Sequence, residues 1–448
     1  MFGQINAIAR NTFLEAVRQP IFFILLLVGG GLQIVNTLLS AFSMGFTEQT
    51  EVFGDDKMLF DMGLATVVVC CMLLAAFIAT SVLSREIENK TALTVISKPV
   101  GRPAFVLGKY LGVTAAILVA AVILTTFFFF ALRHKVMSTA RDEIDGPVVL
   151  FSVLAVLLSV GLGVWGNYFY NWVFASTAVF TMLPATVAAY AAVLCINKSW
   201  QFQAITTDLK PQVMLATACA VVAILVLTAV AVAASTRLGQ VMTIVVCCGV
   251  FLLGLLSNHL LGRHAFVNRQ IAIVEGIDNP DNLTLARAGD SIKLKLKGPA
   301  KIDLKPGMSI YFGPDPNGLA IAVPAHPRFT ADFNDSLKVR GPDAAPALII
   351  KAIGQDNSLT LLNTGNLPVE RPPQPGDFLF DKPTQTNWPA RAAWSIVPNL
   401  QVFWLVDAVT QGHPIPSRYV MYVTLYGGAQ ILTFLSLAVF LFQKRDVG

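Results

Sequence analysis

LGKYLGVTAAILVAAVILTTFFFFAL, residues 107–132, carries one charged side chain, Lys109, and carries it at the start of the run. A helix needs about 20 mostly apolar residues to cross the hydrocarbon core of a bilayer, and this run is longer than that. Seven more runs satisfy the same test: Ile21–Phe42, Met62–Leu83, Pro147–Gly166, Trp172–Ile196, Gln212–Ser235, Gly239–Leu261 and Tyr419–Phe442. Hydrophobic residues make up 55% of the chain and charged residues 13%, and mean hydropathy is +0.64. Soluble domains carry roughly 25% charged residues. A soluble protein is excluded, because so many long apolar runs would have to share one core. The expected fold is mainly α: a polytopic helical membrane bundle of about eight spans, with a soluble all-β domain inserted before the last. The count falls between six and eight, because 147–196 reads either as two helices around a tight turn or as a re-entrant hairpin. The junction Trp165-Gly-Asn-Tyr-Phe-Tyr-Asn-Trp172 is rich in the aromatics that sit at membrane interfaces.

Residues 1–19 read differently. Ile5, Ile8, Ala9, Phe13, Ala16 and Val17 recur at helical spacing, with Arg10, Glu15 and Arg18 elsewhere on the wheel. This predicts an amphipathic helix on the membrane surface before the chain turns in at Pro20. The stretch has no compact basic head and no small-residue cleavage site, so it reads as retained. The bundle then occupies 20–262, and 394–448 holds an interfacial segment and the last span. All six cysteines fall in or at the ends of spans, at 70, 71, 195, 219, 247 and 248. They read as small packing residues rather than disulfides or metal ligands.

Loop charges set the expected orientation. In 84–106, Arg85, Lys90, Lys98 and Arg102 outnumber Glu86 and Glu88. In 43–61, Glu48, Glu51, Asp55, Asp56 and Asp61 face a single Lys57. Positive residues collect on the cytoplasmic side, so the first loop is expected inside and the second outside, with both termini cytoplasmic. Arg133-His134-Lys135 runs against this rule, as do Arg263 and Arg269.

The soluble stretch, 263–393, alternates short β-like runs with turns. The runs are Gln270–Val274, Ser291–Leu296, Ser309–Phe312, Leu319–Val323, Ala347–Ile353, Leu359–Leu362 and Asp377–Phe380. Pro306-Gly307 and Asp315-Pro-Asn-Gly318 are typical of the turns between them. A small sandwich or barrel on the extracytoplasmic side is expected. Its charges nearly balance, which gives no reason to invoke nucleic acid. Lys293, Lys295 and Lys297 share one strand face and read as a solvated sheet edge that resists association. Asp332 and Asp335 read as turn chemistry rather than a metal site.

The spans lack the groups that membrane catalysis or proton coupling would require. Lys109 and His259 lie near span ends, and no charged residue lies near a span centre. There is no GxxxxGK[ST] for nucleotide phosphates, and no nucleophile–base pair or clustered metal ligands. Gly29-Gly30-Gly31 in the first span reads as close helix packing. A gradient-building role would therefore draw its free energy from another polypeptide.

The loop after span two reads SREIENKTALTVISKPVGRPAFVLGK, residues 84–109. It resembles the cytoplasmic loop of ABC-2 type permeases, the membrane subunits of one branch of ABC transporters. In that family a charged stretch like R-E-x-E-x-G-T, a short helix and a Pro-x-x-Arg turn precede a Gly-Lys that opens span three. Here Asn89-Lys90 stands where a glycine is usual. The terminal pattern is similar as well, with Ile396-Val-Pro-Asn-Leu-Gln-Val-Phe403, Asp407 and Phe442-Gln-Lys-Arg-Asp446, and so is Thr12-Phe13-x-Glu15-Ala16-x-Arg18.

The resemblance implies a permease without a bound cofactor, in the bacterial inner membrane. It would pair with a second copy or a similar permease and be driven by a separate ABC ATP-binding subunit that uses ATP, with export the expected direction. It places the ATPase contact on Arg85, Glu86, Glu88, Thr91, Leu93, Lys98, Pro99 and Arg102. Independently of the family, the loop offers an apolar helix face with rim charges of both signs, a surface that can dock in a partner's groove. The alternative is a non-transporting scaffold whose β domain binds an extracytoplasmic partner.

Overall fold

The computed structural model describes the chain except residues 1, 41–47, 85–100, 137–143, 279–284, 286, 317–325, 327, 332, 334, 336–338, 340–343, 355, 368, 370, 413 and 444–448, and gives backbone alone at 48–55 and 84. It has two compact units, one formed by 1–252 with 400–448 and the other by 253–399.

The first unit is helical. It contains α1 (Phe2–Val17), α2 (Pro20–Leu39), α3 (Glu48–Ala79), α4 (Arg102–His134), α5 (Gly146–Tyr170), α6 (Phe174–Cys195) and α7 (Pro211–Ser235), with α8 (Gln240–Ser257) leading out of it. Among the described residues eight helices are long and apolar enough to cross a membrane, matching the eight runs of the sequence. Two of them begin well before their apolar runs. The α3 helix begins at Glu48, so most of the expected acidic loop before span two is helical. The start of α4 continues to Arg102, where Pro103 suits a first turn that has no partner for its N–H.

The doubtful stretch at 147–196 forms two full helices. They are joined by Asn171–Val173, with Asn171 in the left-handed region (φ 54°) capping α5. Asn167 Nδ2 donates to the Trp172 carbonyl at 2.7 Å, and the Trp172 ring lies over Gly166, where a Cβ would sit 2.7 Å from it. Outward faces such as Ile24, Val28 and Ile34 of α2 and Leu150, Leu154 and Leu157 of α5 remain exposed. Exposed apolar surface on this scale suits lipid rather than water.

Packing inside the bundle follows small residues and neutral polar ones. Gly29 and Gly30 meet Leu124, Cys70 and Phe127, whereas Gly31 faces open space. Gln33 and Asn36 of α2 donate to the carbonyls of Gly63 and Leu59 on α3, at 2.9 and 3.0 Å. The cysteines are free thiols, four of them buried and two half-buried.

The second unit holds the sheet. Its main strands are β2 (Gln270–Asp278), β3 (Ser291–Leu296), β4 (Tyr311–Gly313), β5 (Ala347–Ile353), β6 (Ser358–Thr364) and β7 (Phe378–Phe380). They are antiparallel, in the order β4-β7-β2-β3-β6-β5. The segment leading into β4 closes the sheet. Ile310 N–H donates to the Leu348 carbonyl and Ile350 N–H to the Met308 carbonyl, both at 2.9 Å. Residues 308–313 thus pair with β5 through their first half and with β7 through their second, giving a barrel without a free edge there. Ile271, Ile292, Leu294, Phe312, Leu361 and Leu379 are among the side chains that fill it. Burial also pushes the Tyr311 phenol up from its usual pKa, and its hydroxyl donates to the His326 carbonyl at 3.0 Å.

One expectation about this unit changes. The lysine strand is not an edge: β3 lies between β2 and β6. Alternation still holds, with Ile292, Leu294 and Leu296 inside and the lysines outside, and Lys295 pairs with Glu275 of β2 at 3.5 Å. Its charges therefore solvate a barrel wall. Leu319–Val323 and Asp332 lie outside the described residues, as do Asp446 and the basic pair Lys444-Arg445 at the chain's end.

Candidate functional site

Of the residues expected to contact an ATPase, Arg85, Glu86, Glu88, Thr91, Leu93, Lys98 and Pro99 lie outside the described residues. Arg102 is described, together with the frame that holds both ends of the loop. On the incoming side, α3 ends in a wide π turn, Thr80–Ser84. Thr80 Oγ1 donates back to the Ala76 and Phe77 carbonyls, each at 2.9 Å. Gln19, between α1 and α2, donates to Ser81 Oγ and so ties this turn to the N-terminal helices.

On the outgoing side, Arg102 Nη1 donates to the Gln443 carbonyl at 2.6 Å, at the end of α11 (Ser417–Gln443). Arg237 Nε donates to the Leu441 carbonyl at 3.0 Å. Two guanidiniums thus meet the carbonyl end of one helix, where backbone partial charge is negative. Phe105 stacks on Phe442 at 5.6 Å.

Lys109 joins the two sides. It is 3% exposed, Nζ reaches the Val82 carbonyl in the π turn at 3.4 Å, and the ammonium lies 5.6 Å from the Phe105 ring. A buried ammonium is costly unless such groups surround it. A carboxylate at this position would meet acceptors instead of donating to them. Lys109→Glu is therefore expected to abolish accumulation in the membrane while Lys109→Arg retains most of it, as read by immunoblot of membrane fractions. Equal yields of the two variants would show that the amine does not hold this junction.

The amphipathic helix forms part of the same frame. Ile5, Ala16 and Val17 of α1 are buried, and Ile8, Ala9 and Phe13 are half-buried. Gly108 and Gly112 of α4, one turn apart, form the seat. A Cβ on Gly108 would lie 2.8 Å from the Ile8 side chain, and one on Gly112 would lie 2.5 Å from both the Ala9 carbonyl and Thr12 Cβ. This is small-xxx-small packing, which lets helix backbones approach closely. The Gly-Lys at the start of span three thus has two physical duties, one for each residue. The loop's two attachment points, the α1 seat and the end of α11 therefore converge on one end of the bundle.

This frame is where the family assignment falls. Residues 6–165 match the family model described as ABC-2 family transporter protein. The match runs from α1 into α5 and takes in the loop, both its attachment points and the glycine seat. The ABC-2 resemblance read from 12–18 and 84–109 is borne out over this stretch, and it supports a membrane permease subunit of an ABC transporter. No curated protein and no solved structure matches the chain.

The opposite end of the bundle carries a charge cluster that sequence reading missed. Arg133 Nη1 lies 2.9 Å from Asp145 Oδ2 and Arg133 Nε 2.9 Å from Asp208 Oδ2. The Arg133 side chain is 11% exposed and that of Asp145 is fully buried. Asp145 Oδ1 also accepts the Val148 N–H and so caps α5. Arg133, read as a violation of the charge rule, is neutralised by two carboxylates. A cavity of about 280 Å³ lies beside it, lined by Tyr190, Lys135, Lys210 and Asp56 among others.

The terminal pattern is fixed at this end too. Leu400, Phe403 and, at the start of α10 (Val406–Thr410), Val406 are buried, Trp404 Nε1 donates to Asp61 Oδ1 at 2.9 Å, and Asp407 pairs with Lys57 at 2.6 Å. A second, apolar cavity of about 430 Å³ lies between α2, α4 and α5, with Gln33, Thr37 and His134 on its wall. Among the described residues no cluster of metal-ligating side chains occurs.

Proposed function

We propose that this chain is the membrane permease subunit of an ABC-2 type exporter in a bacterial inner membrane, with both termini cytoplasmic. It works as a dimer with a second copy or a similar permease, and a separate ATP-binding subunit drives it. The chain itself holds no nucleotide. The family match over 6–165, which includes the loop and its frame, carries this reading.

In mechanism, Arg85, Glu86, Glu88, Thr91, Leu93, Lys98, Pro99 and Arg102 form the contact with the ATPase. Leu93 is buried in its groove and the charges set register. When the ATP-binding subunits close, the loop moves, and the motion enters the bundle at two points. One is the π turn at the end of α3 and the other is the start of α4, which Lys109 links through the Val82 carbonyl. Both helices then shift against α1 and α11, changing access to a path between the permeases. The barrel at 263–393 sits outside and acts as a lid or a docking module.

Charge reversal tests the contact. Glu86→Lys with Glu88→Lys is expected to reduce co-purification of the ATPase at least about tenfold, the equivalent of about 1.4 kcal/mol, without changing the permease's own yield. Unchanged association and transport would remove this loop from the mechanism.

A further inference from the structure

The helix α9 (Trp388–Ile396) has no buried residue. Trp388 is 72% exposed and Ile396 70%. With Ala392 they stand at i, i+4 and i+8, which makes one stripe along the helix. The other side meets the protein: Ala390 and Trp394 are half-buried, and Trp394 meets Phe266 edge-on at 6.4 Å. Arg391 flanks the stripe, with its guanidinium 5.3 Å from the Phe266 ring and 5.8 Å from the Trp388 ring.

The position of α9 identifies what covers this stripe. The membrane-length helix that includes α8 runs from Gln240 to Ala265, and α9 is fastened to its last turns at both ends. Asn387 N–H donates to the Ala265 carbonyl at 2.9 Å, and Asn399 Nδ2 donates to Asn258 Oδ1 at 2.6 Å. Between these ties, β1 (Phe266–Val267) pairs with β8 (Gln385–Thr386). Residues 258–265 rise only about 10 Å along a helix, so α9 lies within that distance of the end of a span. Leu253, Leu256 and Leu260 of that span are themselves exposed apolar residues, so the helix to which α9 is tied presents apolar side chains outward near the same end. Arg263, His264 and Arg391 are exposed at the same level.

We propose that α9 lies in the bilayer interface, with Trp388, Ala392 and Ile396 at the headgroup–acyl boundary and Arg391 paired with lipid phosphate. Tryptophan and arginine have these roles at membrane surfaces generally. The helix then fixes the base of the barrel unit against the membrane. This inference requires only that 240–265 spans, and it stands whether or not an ATPase drives the chain.

The test uses the full-length protein in phosphatidylcholine nanodiscs, made with ordinary lipid or with lipid brominated near the headgroup, comparing wild type with Trp388→Phe. The Trp388 contribution is the difference between their tryptophan emissions. It is expected to be lost in brominated lipid and to resist aqueous iodide. Melting curves that superimpose would show that the variant folds, as an exposed ring predicts. A Trp388 contribution quenched by iodide and untouched by bromine would overturn the proposal and leave the stripe to a protein partner or to solvent.

Discussion

Gly112→Leu is expected to expel α1 from the bundle. A Cβ at this position already falls 2.5 Å from the Ala9 carbonyl oxygen and from Thr12 Cβ. A backbone oxygen cannot rotate away as a side-chain tip can, so α1 must move as a body. Overpacking in a close-packed core costs about 1–3 kcal/mol even where side chains can adjust, and here the obstacle is main chain, so the cost belongs at or above the top of that range. The expected result is rapid proteolysis of the N-terminus in membranes and a fall of several degrees in melting temperature in detergent. Gly161→Leu is the control: Gly161 lies in α5 with nothing within 4 Å of its would-be Cβ, and lipid accommodates the added side chain. If the two variants behave alike, the seat at 108–112 is not what holds α1.

The bundle was legible in the sequence because the bilayer enforces it. Each spanning helix must satisfy its own backbone hydrogen bonds and present apolar side chains to lipid. Run length therefore located all eight spans, and even the doubtful pair at 147–196. Two strand boundaries were legible to the residue. Ser291–Leu296 alternates cleanly because one of its faces enters the barrel, and Ala347–Ile353 is a short β-branched apolar run whose first four residues are all buried. Strand order was not legible. Lys293 and Lys295 read as an edge because outward lysines look alike on an edge and on a closed wall. What separates the two is pairing across 60 or more residues, such as Lys293 with Thr360, and nothing local encodes it.

The same boundary applies to function. The loop at 84–109 was visible because its polar residues interrupt an apolar chain. Lys109 was visible as a residue, but its bond to Val82 was not. Gln33 and Asn36 drew no notice, since a single neutral amide hardly changes the hydropathy of a span. Each nevertheless joins α2 to α3.

Arg133→Leu is expected to be the most damaging single change at the other end of the bundle. Arg133 faces two carboxylates, and Asp145 has no access to water. Removing the guanidinium leaves a buried charge without its partner, a loss of about 3–5 kcal/mol. The protein can relieve it by unwinding the first turn of α5, which Asp145 caps. The carboxylates should then rank by burial. Asp145→Asn removes the charge but keeps an oxygen for the Val148 N–H, so its cost should be smaller than that of Arg133→Leu. Asp208→Asn should cost least, because that side chain is 27% exposed and water screens its pairing. Arg133→Lys tests geometry, since one ammonium cannot present separate nitrogens to both carboxylates, and it should fall between Arg133→Leu and wild type. Melting temperatures in detergent give the order directly. A wild-type melting temperature for Arg133→Leu would mean that the cluster contributes nothing to the fold, and the cavity beside it would then need another reason for its three basic side chains.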